Sequence, residues 1–323
     1  MTSSKLPGPP PELPALVVHA DWGREAKKRW MAKAILKGRR YHLSAPELVG
    51  DCATFFARLR NGLRREGSVF VGFDFLIGVP AAFAAKAGVS DFLTALPQFG
   101  EGQWNLFFDV AKTKPEISLH RPFYPNAPGG KRLAHLLDRL QLESKDDLLR
   151  QCERRTKTRT AACPLFWTLG AKQVGKAAIA GWKDLLVPRI RANNETIAFW
   201  PFSGELNRLF RSHPVVVAET YPAEAYQHLG FSRTRWSKRS QSGRHARGKE
   251  IRKWALQRPV ALDQPTLTKI DGGFGTKKDG EDPFDALVGL CSMLEVVLGY
   301  RADGAPNEER IRKVEGWILG QAA

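Results

Sequence analysis

The sequence predicts an α/β domain built on one mixed β-sheet, and three observations point to it. The chain opens with three strand-like runs joined by short turns, the pattern of an antiparallel meander. A fourth run, Val69–Ile77, is apolar almost throughout, as a central strand covered on both faces must be. The last strongly apolar stretch, Pro283–Leu298, is apolar on most faces of a helix and is therefore a buried one.

In chain order, Met1–Pro14 is rich in Pro and Ser and has no apolar core, so residues 1–14 read as a disordered tail rather than a signal peptide. Leu16–Gly23 is the first strand, and Arg29–Leu36 and Arg40–Leu43 are the next two. Lys37-Gly38-Arg39 suits the tight turn between them. Pro46–Arg65 carries Leu48, Cys52, Phe55, Phe56, Leu59 and Leu63 at helical spacing. Val69–Ile77 follows and Gly78-Val79-Pro80 stops it. From about 81 to 211 the pattern is mainly helical, over Ala81–Ala87, Ser90–Leu96, Gly130–Arg154 and part of Arg159–Val187. Phe108–Thr113 fits either strand or loop. Thr196–Phe202 reads as a short aromatic strand. This insertion of about 130 residues is too long for a loop and must carry its own structure. Val215–Thr220 is another strand, stopped by Tyr221-Pro222, and Ala223–Leu229 starts a helix. A basic segment at about 233–253 follows, with Lys249–Gln257 fitting a helix. Thr266–Asp282 reads as a loop rich in Gly, Lys and Asp, and Glu308–Leu319 as an amphipathic closing helix. Residues 15–323 form a single domain on this reading, with no internal repeat.

The 323 residues are 43% hydrophobic, enough for a real core, and carry a formal charge of +17. Clustered Lys and Arg favour a polyanionic partner, and nucleic acid is the first to consider; a basic but solvated surface is the plain alternative. Cys52, Cys152, Cys163 and Cys291 form no zinc spacing and read as reduced thiols of a cytoplasmic protein. No segment is long and apolar enough to span a membrane, so no membrane partner is expected.

Four acids stand where the pattern changes. Asp21 ends the first strand, Asp74 interrupts the fourth, Glu219 ends Val215-Val216-Val217-Ala218, and Asp285 lies near the start of the last apolar helix. A carboxylate at a buried strand end is costly unless compensated, and several that converge repel one another unless a cation sits between them. Each has a plainer reading. Asp21 could be a turn acid before Trp22-Gly23, and Glu219 could pair with an Arg. Asp282, ahead of Pro283, could cap the helix, and Asp285 could favour its dipole.

The motifs that hold these acids resemble the RNase H-like superfamily, and most of all the predicted nucleases of the domain-of-unknown-function family 429. The resemblance rests on Val18-His19-Ala20-Asp21-Trp22-Gly23 and Val71-Gly72-Phe73-Asp74-Phe75-Leu76-Ile77-Gly78-Val79-Pro80. It continues through Gln173-Val174-Gly175 with Gly181-Trp182, Phe199-Trp200-Pro201-Phe202, Ala218-Glu219-Thr220-Tyr221-Pro222 and Asp282-Pro283-Phe284-Asp285-Ala286-Leu287. It implies a five-stranded mixed sheet with flanking helices, three antiparallel strands followed by two parallel ones. It further implies that Asp21 and Asp74 face each other at adjacent strand ends, approached by Asp285 from the last helix and by Glu219 from the fifth strand. The basic segment after Tyr226 lies outside the family pattern.

The expected chemistry is metal-dependent phosphodiester hydrolysis. Two Mg²⁺ or Mn²⁺ ions about 4 Å apart can activate water and stabilise the leaving oxygen, and both prefer hard oxygen ligands. Asp21 is the expected bridging ligand, Asp74 and Asp285 would each complete one ion, and Glu219 would ligate a metal or orient water. Arg233, Arg235, Trp236, Lys238, Arg239, Arg244, Arg247 and Lys249 combine cations with one aromatic ring and suit phosphate contact with base stacking; a solvated loop is the alternative. Arg150, Arg154, Arg155, Lys157 and Arg159 form a second basic cluster. Neither an HExxH motif nor a P-loop is present. Two other functions compete: an RNase H-fold nucleic-acid-binding protein without catalysis, and an ATP-dependent phosphotransferase of related fold, which would need two Gly-rich phosphate loops in duplicated halves.

Overall fold

The computed structural model describes residues 12–63, 66–157, 159–170, 174–192, 196–231 and 236–322. The first eleven residues of the expected tail lie outside them. The strands are β1 (Leu16–Asp21), β2 (Trp30–Lys37), β3 (Arg40–Leu48), β4 (Val69–Phe73), β5 (Ile197–Phe199), β6 (Val215–Glu219) and β7 (Val260–Leu262). They form one mixed sheet in the order β5-β6-β4-β1-β2-β3-β7. The meander β1-β2-β3 is antiparallel, whereas β4 pairs parallel with β1 and β6 pairs parallel with β4. The α/β class is as expected, but the sheet has seven strands rather than five. The short strands β5 and β7 extend its two edges by parallel pairing with β6 and β3. Val260–Leu262 follows a helix directly and is too short for its alternation to be read from sequence.

The two faces of the sheet are buried differently. Leu16, Val18 and Ala20 of β1 lie with Val69, Val71 and Phe73 of β4 and Val215 and Val217 of β6 in a core shared with the insertion. Val17, Phe70, Val216 and Ala218 belong to a second core under the long helix Glu281–Val297. This is the period-two alternation of strands buried on both sides. Close approach of the long helix depends on two glycines. A Cβ at Gly289 would overlap the His19 ring, and one at Gly72 would overlap the Met293 sulfur. His19 is fully buried there, and desolvation pushes its pKa down to about 3, so it is a neutral packing residue.

Several element boundaries depart from the sequence reading. The helix expected over Pro46–Arg65 spans only Phe55–Asn61, because β3 runs on to Leu48, whose side chain is exposed; Phe55, Phe56 and Leu59 are the buried set. Phe108–Thr113 is not a strand. Gly130–Arg154 holds one α-helix, Ala134–Leu140, and otherwise short 3₁₀ turns. The glycine-rich loop contains a helix, Gln264–Asp271, started by Asp263, whose carboxylate accepts from the Thr266 amide at 2.8 Å. The basic segment is helical from Gln241 to Leu256, and the closing helix is reduced to Glu309–Val314.

Candidate active site

Three of the four expected acids come together at the C-terminal ends of β1 and β4. Ala20 and Phe73 are register partners, so Asp21 and Asp74 leave two adjacent parallel strands side by side. The loop after β1 is fixed by Trp22. Its indole is buried edge-on against Phe73 and Phe75, with centroids 5.4 and 5.5 Å away. Its backbone N–H donates to Asp74 Oδ1 at 2.6 Å. Arg29 stacks over Trp22 at 4.6 Å and donates to the Gly23 carbonyl at 2.9 Å, which holds the loop closed. The Asp21 and Asp74 carboxyls are within hydrogen-bonding reach of each other.

Asp285 joins them from the first turns of the long helix, where it is buried. Its carboxylate accepts hydrogen bonds from the Tyr226 hydroxyl and the Lys238 ammonium. Asp282, three residues earlier, stands on the same helix face. It does not cap the helix, since the N-cap position is Gly280. Burial, then Asp74, Asp285 and Asp282, push the Asp21 carboxyl well above the usual carboxylate range. Burial raises Asp74 to about 7, and burial followed by Asp285 raises Asp282 to about 6. Lys238 is 41% exposed at its side chain; desolvation opposes its charge, but Asp285 and Asp21 hold its pKa above the ordinary lysine value. Burial, then Asp285, likewise raises Tyr226.

Glu219 does not join this group. It is the register partner of Phe73, and so faces the insertion rather than the long helix. There it is buried against Arg150, with Nη1 to Oε2 at 2.7 Å and Nη2 to Oε1 at 2.5 Å, and its Oε2 also accepts from the Ile77 amide at 2.6 Å. Arg150 belongs to the second basic cluster seen in the sequence; it is fully buried and also binds Glu153 and the Ile77 and Glu315 carbonyls.

The basic segment divides by environment. Arg233 and Arg235 lie outside the described residues. Trp236 packs with Tyr226, Phe231 and Phe284, at 5.2, 5.7 and 6.0 Å between centroids. Arg244 is buried and donates to the carbonyls of Lys238, Gly273 and Gly275. Arg247 pairs with Glu250 at 2.7 Å and lies over Trp236 at 5.8 Å. Arg239 and Lys249 are exposed.

The sequence leaves Asp282 open between helix cap and ligand, and gives no role to Tyr226. The spacing of Asp282 and Asp285 on one helix was the available signal for the first. Nothing local signals that Tyr226 and Lys238 meet Asp285.

Asp21, Asp74 and Asp285 lie near one another, but among the described residues no group of three or more His, Cys, Asp or Glu has its side chains close enough to hold a metal ion as they stand. The donor chemistry nevertheless suits a hard divalent ion: carboxylate oxygens converge, and their mutual repulsion is relieved by one lysine. Compared with protein-family models, curated proteins and solved structures, the chain finds no match.

Proposed function

We propose that the protein is a metal-dependent nuclease of RNase H-like fold. The observation that carries this reading is the convergence of Asp21 and Asp74, at the ends of two adjacent parallel strands, with Asp285 from the long helix. The five central strands support it, since β3-β2-β1-β4-β6 runs antiparallel, antiparallel, parallel, parallel. Asp21, Asp74 and Asp285 would hold Mg²⁺ or Mn²⁺, Asp285 exchanging its contact with Lys238. When bound, such ions supply Lewis acidity and an activated water. The protein's own part is positional. Trp22 fixes the orientation of Asp74, Tyr226 fixes Asp285, and Lys238 places a cation where phosphate charge would arrive. The overall charge of +17 favours a polyanionic substrate.

The second reading is a nucleic-acid-binding protein without catalysis. The ion pair between Lys238 and Asp285 favours it, because a lysine there satisfies a carboxylate without metal. A panel of labelled single- and double-stranded DNA and RNA, incubated with Mg²⁺ or Mn²⁺, separates the two. The nuclease reading expects cleavage by wild type and none by folded Asp21→Asn. Binding without cleavage of any substrate selects the second reading.

A further inference from the structure

A slot of about 300 Å³ opens directly beside Asp74. Its walls include Leu76, Val174 and Ile318, and Thr220 and Cys163 line it as well. Thr220 follows Glu219 at the end of β6, and its amide donates to the Phe73 carbonyl at 2.7 Å. Thr220 is 5% exposed, and its hydroxyl oxygen is fully buried with no partner among the described residues. A buried hydroxyl without a partner is costly, so it gains by turning toward a polar atom held in the slot beside it. The other charges of the slot are already matched: Glu219 and Glu153 by Arg150, and Glu224 by Arg159 at 2.5 Å. Asp74 alone among the slot's carboxylates makes no ion pair among the described residues. The space therefore has mixed walls, apolar side chains beside the polar Thr160, Thr220, Tyr221 and Gln227, and one reactive end at Asp74.

We propose that this slot receives a single unpaired nucleobase of the substrate strand, next to the phosphate that reaches Asp21 and Asp74. This rests on the nuclease reading for the phosphate's place. The volume is at the lower end of the range of small-ligand clefts, roughly 300–1,000 Å³. It holds one base with its sugar, not a base pair with two backbones. A planar heterocycle with polar edges matches walls that set Leu76, Val174 and Ile318 beside hydroxyl and amide side chains. Unstacking a base from a duplex is an added cost, so the substrate class is a single strand or the unpaired nucleotide of an end, flap or mismatch.

Cys163 supplies a probe that does not depend on cleavage. Alkylation of Cys163, followed by peptide mass spectrometry to separate it from Cys52, is measured with a short single-stranded DNA, a blunt duplex of the same length, or a free deoxynucleoside monophosphate. The single strand should protect Cys163 and the duplex should not. Ala223→Trp, at an exposed helix position lining the slot, should abolish that protection without lowering Tm. Thr220→Val should weaken single-strand binding by roughly 3- to 10-fold. Equal alkylation with and without saturating single strand overturns the proposal, as does unchanged single-strand binding by Ala223→Trp. Equal protection by the monophosphate assigns the slot to free nucleotides and overturns the strand form. Cleavage confined to paired duplex removes the slot's role while the nuclease reading stands. Protection by single strand without cleavage of any substrate keeps the slot and removes the nuclease reading.

Discussion

The Arg150 guanidinium and the Glu219 carboxylate form a buried two-pronged ion pair between residues 69 positions apart. It joins the insertion to the end of β6. The same arginine binds the Ile77 and Glu315 carbonyls, so one side chain ties β4's exit, β6 and the C-terminal segment together.

Removing either partner leaves a buried charge uncompensated. Glu219→Gln and Arg150→Met should each lower stability by about 3–5 kcal/mol. Urea denaturation of the purified variants measures this. A Glu219→Gln protein as stable as wild type but inactive would return Glu219 to a direct part in the reaction.

Asp21→Asn keeps the side chain's shape and removes one hard ligand and one negative charge. Cleavage should fall by at least about 100-fold while the fold is retained, and Asp74→Asn and Asp285→Asn should act alike. Thermal melting shows the fold, and turnover on the best substrate shows the loss.

The acids also set a pH dependence. The Asp74 pKa is about 7 in the folded chain and 3.8 as the reference value, so the folded state holds the proton more tightly. Its favourable contribution is complete below about pH 4 and is lost as pH rises through 7. Asp74→Asn removes that loss. Without metal, the variant should match wild type near pH 4–5 and melt higher than wild type at pH 8. Added Mn²⁺ should raise the wild-type Tm more at pH 8 than at pH 5, because the ligands must be ionised. Equal melting temperatures of wild type and variant across the range would mean that burial does not penalise the Asp74 charge.

Lys238 competes with any cation for Asp285. Lys238→Met should tighten Mn²⁺ binding by about 5- to 10-fold, equivalent to about 1 kcal/mol. Isothermal calorimetry reads it directly. Weaker binding in the variant would show that the ammonium supports the site rather than blocking it.

The exposed and buried cations of the basic helix should behave differently. Arg239→Gln with Lys249→Gln should weaken nucleic-acid binding and flatten its log–log salt dependence by about one unit for each phosphate no longer neutralised. Arg244→Ala should instead destabilise the chain, since three backbone carbonyls lose their donor. Anisotropy titrations at several salt concentrations, beside melting curves, separate the two effects.

Local pattern was enough to place the meander, the apolar strand at Val69, the strand at Val215 and the long buried helix Glu281–Val297, because burial of an apolar face leaves a period in the sequence. It also marked Asp21, Asp74 and Asp285, each a charge that interrupts an apolar run. Short edge strands leave too few residues for a period, so β7 was not legible, and β3 was read too short.

The sequence by itself determined the α/β class, the order of the central elements and which acids are unusual. Only the tertiary structure decided what each acid meets. Glu219 carries the same signal as Asp21, yet register turns it to the other face of the sheet, where Arg150 waits. Asp282, open between cap and ligand in the sequence, stands by the acid cluster; Lys238 meets Asp285, and Arg244 is buried. The physical reason is range. Periodicity records one chain segment against an averaged interior, whereas an ion pair or a shared proton joins two particular side chains, and neither segment alone encodes its partner.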